Sequence, residues 1–177
     1  QLWIRYFIRA TLRSARLPKS RCTLTIAVVT SSASSGLMNA IRLATALPMP
    51  VSGAGDLSPD AKRICYSPLI RDFRTWKRYQ GGWAQDLYLY DLATNDMKPF
   101  ATSKRTERDP MWIGDAVYFA SDRDGTLNLY AYDLKTEAVT KLTSSTTWDV
   151  RWPSSDNQSR IVYELNGELH VFDVASK

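Results

Sequence analysis

Asp86-Leu87-Tyr88-Leu89-Tyr90-Asp91-Leu92 returns twice further along the chain, as Asn128-Leu129-Tyr130-Ala131-Tyr132-Asp133-Leu134 and as Glu168-Leu169-His170-Val171-Phe172-Asp173-Val174. A second strand-like run precedes each copy: Arg63-Ile64-Cys65-Tyr66-Ser67, Ala116-Val117-Tyr118-Phe119-Ala120 and Arg160-Ile161-Val162-Tyr163-Glu164. The aligned aspartates Asp91 and Asp133 lie 42 residues apart, and Asp133 and Asp173 lie 40 apart. That period is the one at which four-stranded propeller blades repeat. Three successive blades are therefore expected, over about residues 57–103, 109–143 and 149–177.

Turn chemistry supports the strands. Ser58-Pro59-Asp60, Asp122-Arg123-Asp124-Gly125 and Asn166-Gly167 fall between the runs, where hairpins must close. Asp109-Pro110 and Trp152-Pro153 predict short extended steps near an innermost strand, because a residue before proline favours extended backbone. A polar-to-apolar run such as Ala138-Val139-Thr140-Lys141-Leu142-Thr143 supplies the outermost strand. Leu87, Tyr88, Leu89 and Tyr90 are apolar or aromatic at odd and even positions alike, so the strand they form needs cover on both faces. Blades packed between neighbours give that cover. Seventeen of the 20 aromatic residues fall in residues 56–177, where such a core would use them. Three blades do not close a ring of four to eight, so the fold class expected is all-β: a partial β-propeller, the fragment of a larger ring.

The formal charge of +5 is unevenly placed. Residues 1–55 carry seven basic residues and no carboxylate, while the rest carries 16 basic and 18 acidic residues. The repeats are thus nearly neutral, and no nucleic-acid partner is expected. Every apolar stretch is broken by charge before a bilayer-spanning length, so no membrane span is expected either. Residues 1–47 read as a segment apart from a propeller region at 48–177. Three readings stay open for it: a transit-type leader, a secretory-type leader with a long basic start, and a stretch translated out of frame. Cytoplasmic and exported locations both remain open.

The run from Leu57-Ser58-Pro59-Asp60-Ala61-Lys62-Arg63 to Pro68, continuing through Arg71-Asp72-Phe73-Arg74-Thr75-Trp76-Lys77-Arg78-Tyr79-Gln80-Gly81-Gly82-Trp83, resembles the N-terminal propeller of tricorn-type, S41-like serine proteases. Asp109-Pro110-Met111-Trp112-Ile113-Gly114-Asp115 and Ser121-Asp122-Arg123-Asp124-Gly125 are similar to the same region, although the shorter signatures are shared with TolB-like propellers. The resemblance covers about residues 47–177. It implies a six-bladed ring, followed in full-length enzymes by a second propeller, a PDZ-like module and a peptidase core. The family's catalytic residues belong to that core, so the resemblance assigns none here. Ala61 departs from the usual Ser-Pro-Asp-Gly turn, and a positive φ there would strain it.

The function expected is a non-catalytic propeller segment that guides peptides to or from a hydrolytic core and helps the domains assemble. The alternative is a TolB-like interaction platform without peptidase activity. Expected partners are peptides or polypeptide substrates and the remaining blades and core of a parent protein, with homo-oligomers left open.

The peptide-binding candidates lie in the insertion that lengthens the first repeat. Arg71, Arg74, Lys77 and Arg78 interleave there with Phe73, Trp76, Tyr79 and Trp83. Cations could attract peptide carboxylates and aromatics could hold apolar side chains; the competing reading is a packing brace. No cofactor or metal is expected. His170, the only histidine, takes the slot of Tyr88 and Tyr130 and reads as a packed or rim aromatic, not as a triad base. Asp122 and Asp124 read as hairpin residues because the EF-hand pattern is lacking. Asp91, Asp133 and Asp173 read as turn caps.

Overall fold

The computed structural model describes residues 24–26, 45–68 and 78–176. The chain divides into two compact units, Gln1–Val51 and Ser52–Lys177. In the first, β1 (Leu24–Ile26) pairs antiparallel with β2 (Thr45–Leu47).

The second unit carries the repeats as three antiparallel meanders. One sheet holds β3 (Ala54–Leu57), β4 (Arg63–Ser67), β5 (Leu87–Asp91) and β6 (Met97–Phe100) in that order. The next holds β7 (Glu107–Ile113), β8 (Ala116–Ser121), β9 (Asn128–Asp133) and β10 (Val139–Lys141). The third holds β11 (Arg151–Ser155), β12 (Arg160–Leu165) and β13 (Glu168–Asp173). No helix occurs among the described residues, so none is long and apolar enough to cross a membrane. The chain is all-β and forms a partial β-propeller.

Side chains alternate between the faces of a strand, and the two interfaces show it. Cys65, Leu87, Leu89 and Phe100 of the first sheet pack with Val117, Phe119, Tyr130 and Tyr132 of the second. Tyr118 and Leu129, which alternate with those residues, face the other way and pack with Val150, Ile161 and Tyr163 of the third. This two-sided burial explains why β9 looks apolar throughout. Backbone bonds join the sheets at matching places: Glu107 N–H donates to Gln85 O (2.7 Å) and Val150 N–H to Leu127 O (2.9 Å).

The repeated aspartates occupy one environment three times. Asp91 Oδ1 accepts from the amides of Ala93 and Thr94, Asp133 Oδ1 from Lys135 and Thr136, and Asp173 Oδ1 from Ala175 and Ser176. The residues before them pair alike: Tyr90 with Ile64, Tyr132 with Val117 and Phe172 with Ile161. Asn166 and Gly167 close β12–β13 with φ of 55° and 80°, the doubly left-handed geometry of a tight hairpin. Ala61 has φ 57°, the left-handed backbone that strains a residue carrying a Cβ.

Two expectations need correction. Asp109 and Trp152 are not in simple extended steps. Each has left-handed backbone, with φ of 53° and 50°, inside an irregular register between Arg108 and Met111 and between Arg151 and Ser154. Bulge geometry overrides the local preference of a pre-proline residue. The third sheet has three strands among the described residues rather than four, and its β13 is covered on one face only.

Candidate functional site

In an antiparallel meander, the β4–β5, β8–β9 and β12–β13 connections and the two links between sheets all emerge at one end. The insertion sits there, between β4 and β5. Arg71, Phe73, Arg74, Trp76 and Lys77 lie outside the described residues. Arg78 and Trp83 belong to the returning limb, where Arg78 is exposed and Trp83 is half-exposed.

That limb is tied at two points, once to the second blade and once to the link that leads into it. Arg78 Nε donates to Gly125 O (2.8 Å) in the β8–β9 hairpin, and Arg105 Nη1 donates to Arg78 O (2.7 Å) from the link between blades. Between limb and link lies an open pocket of about 300 Å³, lined by Gln80, Gly81, Ala84, Asp86, Ser103 and Lys104. Its wall carries one carboxylate, one ammonium, one hydroxyl and one amide. Burial raises the pKa of Asp86 above the ordinary range. Such a surface offers hydrogen-bonding groups and both signs of charge.

Behind Ser103 stands Glu107, fully buried at the start of β7. Its Oε1 accepts from Ser103 Oγ, from Ser121 Oγ (3.1 Å) and from Arg123 Nη2 (3.2 Å), whereas Oε2 has no partner. Burial raises its pKa, opposed by the hydrogen bond from Ser103, the Arg123 charge and the hydrogen bond from Ser121. Arg123 is held in turn by Ala101 O (2.6 Å) and lies over the rings of Phe119 and Tyr130. The group clamps the end of the first blade to the second. Sequence reading missed it because Thr106-Glu107-Arg108-Asp109 looks like a solvated charge run. The usable signal was the repeat: Glu107 occupies the place of the buried Val150.

The other sequence candidates take structural places. His170 stacks on Tyr163 with ring centroids 5.4 Å apart, and its Nε2 lies 3.8 Å from Glu168. Asp122 Oδ1 accepts from Thr106 N–H (2.9 Å), while Asp124 accepts from Tyr130 OH (2.8 Å) and pairs with Lys141 (3.2 Å). Backbone amides, first those of Thr94 and Ala93 and of Thr136 and Lys135, hold the carboxyls of Asp91 and Asp133 below the usual range. No group of three metal-ligating side chains occurs among the described residues.

The family model of the tricorn protease N-terminal beta propeller domain matches residues 31–177, beginning upstream of the stretch where the motifs are legible. A tricorn protease homolog of Saccharolobus solfataricus is 32% identical over 103 residues, which is 58% of this chain and 10% of that protein. The crystal structure of the tricorn protease superposes with a TM-score of 0.58 at 24% identity, covering 68% of this chain and 11% of that one. TolB from Acinetobacter baumannii gives 0.58 at 19% identity, over 77% of this chain and 34% of its own; at such identities the likeness speaks for the fold alone. The chain spans about a tenth of the length of the tricorn relative it matches. With three blade-like sheets in repeat and a family model running through all of them, the chain belongs to the tricorn protease N-terminal β-propeller family.

Proposed function

We propose that this chain is a non-catalytic propeller portion of a tricorn-like protease, one that guides peptides to or from a hydrolytic core and docks the rest of the parent protein. The observation that carries the docking role is the open face of the third sheet. Leu169 is 80% exposed, Val171 64% and Val162 40%, while the aligned Leu87 and Leu129 are fully buried between blades and Leu89 is nearly so. A face built like two buried ones, with β13 as its edge, suits a further blade of the same kind.

Guidance rests on the insertion. Its returning limb places Arg78 and Trp83 at the end of the ring where the blade links run, beside the pocket of Asp86, Ser103 and Lys104. Arg71, Arg74, Trp76 and Lys77 belong to the same insertion by sequence. In the full-length parent, Arg74→Ala, Lys77→Ala and Arg78→Ala combined should slow turnover of long peptides and spare short ones. Unchanged long-peptide kinetics with intact assembly would instead make the insertion a packing brace. Leu169→Asp with Val171→Asp should prevent assembly of the parent; normal assembly would remove the docking role.

A further inference from the structure

The innermost strand of a blade is a sheet edge, and an edge leaves alternate N–H and C=O groups without a ladder partner. On β7 the edge groups of Trp112 are nevertheless satisfied by side chains. The Trp112 N–H donates to Asp56 Oδ2 of β3 at 2.7 Å. Its C=O accepts from Asn157 Nδ2, in the β11–β12 hairpin, at 3.3 Å. The same Asn157 Nδ2 donates to Asp56 Oδ2 at 2.6 Å, across a sequence separation of 101 residues.

One carboxylate thus joins three blades. The two apolar interfaces link only neighbours, first to second and second to third. The bond from Asp56 to Asn157 skips the second blade and ties the first directly to the third. Both ends are well held. Asp56 Oδ1 accepts from Leu57 N–H at 2.9 Å, and Asn157 has φ 58°, a left-handed conformation that asparagine tolerates better than most residues. The facing edge is fixed too, since Arg63 lies over the Trp112 ring and Trp112 Nε1 donates to Gly114 O.

We infer that Asp56 and Asn157 form a conformational latch, holding the β11–β12 hairpin of the third blade to the innermost strand of the first and so setting how widely the three blades fan about the axis. Opening it requires the loss of one side-chain bridge and leaves both apolar interfaces packed. The hairpin end of β11 is therefore the place where the bore can change without unfolding. This inference is independent of any role in peptide guidance.

Electron–electron spin resonance distances in the 177-residue chain test it. Labels are placed through Ala93→Cys in the first blade and Gln158→Cys in the third, both exposed positions, with Cys22→Ser in the background. Cys65 stays, because its thiol is fully buried and burial raises its pKa. The parent should give a narrow distribution. Asn157→Asp sets two carboxylates against each other and should shift it to longer, broader distances. Asp56→Ala removes the acceptor shared by Asn157 and the Trp112 N–H and should broaden the distribution in the same way. Asn157→Ala gives the same comparison if the aspartate variant does not fold. A distribution untouched by Asn157→Asp or Asn157→Ala, or by Asp56→Ala, would overturn the latch.

Discussion

Leu129→Ala and Leu169→Ala delete the same atoms at the same rung of successive blades, yet they should differ several-fold in cost. Leu129 is fully buried between the second and third sheets, whereas Leu169 is 80% exposed. Emptying a fully packed leucine site costs about 2–5 kcal/mol, part of it from the cavity left behind. Complete burial of a leucine is worth about 1.5–3 kcal/mol, and Leu169 keeps a fifth of that burial with no closed cavity, so its loss costs roughly 0.5 kcal/mol. For a chain of this length 1 kcal/mol moves Tm by about 2–4 °C. Leu129→Ala should therefore melt roughly 10 °C low and Leu169→Ala only about 1–2 °C low. The assay is thermal melting followed by circular dichroism, repeated at several concentrations with sedimentation to confirm a monomer. Equal shifts in monomeric samples would refute the open face of the third sheet.

Three further outcomes are expected. Ala61→Gly relieves left-handed strain of about 1–2 kcal/mol against an entropic loss of about 0.5–1 kcal/mol, so the urea midpoint should rise slightly; a fall would mean the turn does not need its positive φ. Glu107 has a raised native pKa, so its protonation favours the folded state: its contribution is full below the ordinary carboxyl range and is lost as pH rises through the native value. Asp91 and Asp133 have lowered values and act oppositely, losing stability only as pH falls through those depressed values. On mild acidification the Tm of the wild type should thus gain relative to Glu107→Gln, and a pH-independent difference would exclude the effect. Asp133→Ala removes the acceptor for Lys135 and Thr136, so hydrogen exchange should quicken at those amides and not at Tyr130; unchanged protection there would deny the cap.

The blades were legible because their signals are local and repeated. A Tyr-Asp pair ending a strand must place its ring in the sheet and its carboxylate in the following turn, and both consequences recur along the chain. The bulges were not legible. Asp109-Pro110 and Trp152-Pro153 carry a local preference for extended backbone, and only the pairing of β7 with β8 and β11 with β12 imposes the extra residue. Glu107 was hidden for a different reason. Whether a glutamate is solvated depends on Ser103, Ser121 and Arg123 closing around it, and single-residue chemistry does not encode that. At the insertion, Arg78 and Trp83 lie on the returning limb before β5, while Arg71, Arg74, Trp76 and Lys77 lie outside the described residues.

Prolines in the flanking strands bear on how such a chain survives synthesis. Pro99 lies in the outer strand β6, and Pro110 and Pro153 lie in the inner strands β7 and β11 beside the bulges. Each removes an N–H from a sheet margin that would otherwise recruit a foreign strand. At those three margins a nascent meander therefore offers a poor template to its neighbours on the same message. The interruption that bends a blade in the finished ring also keeps half-made rings from sticking to one another.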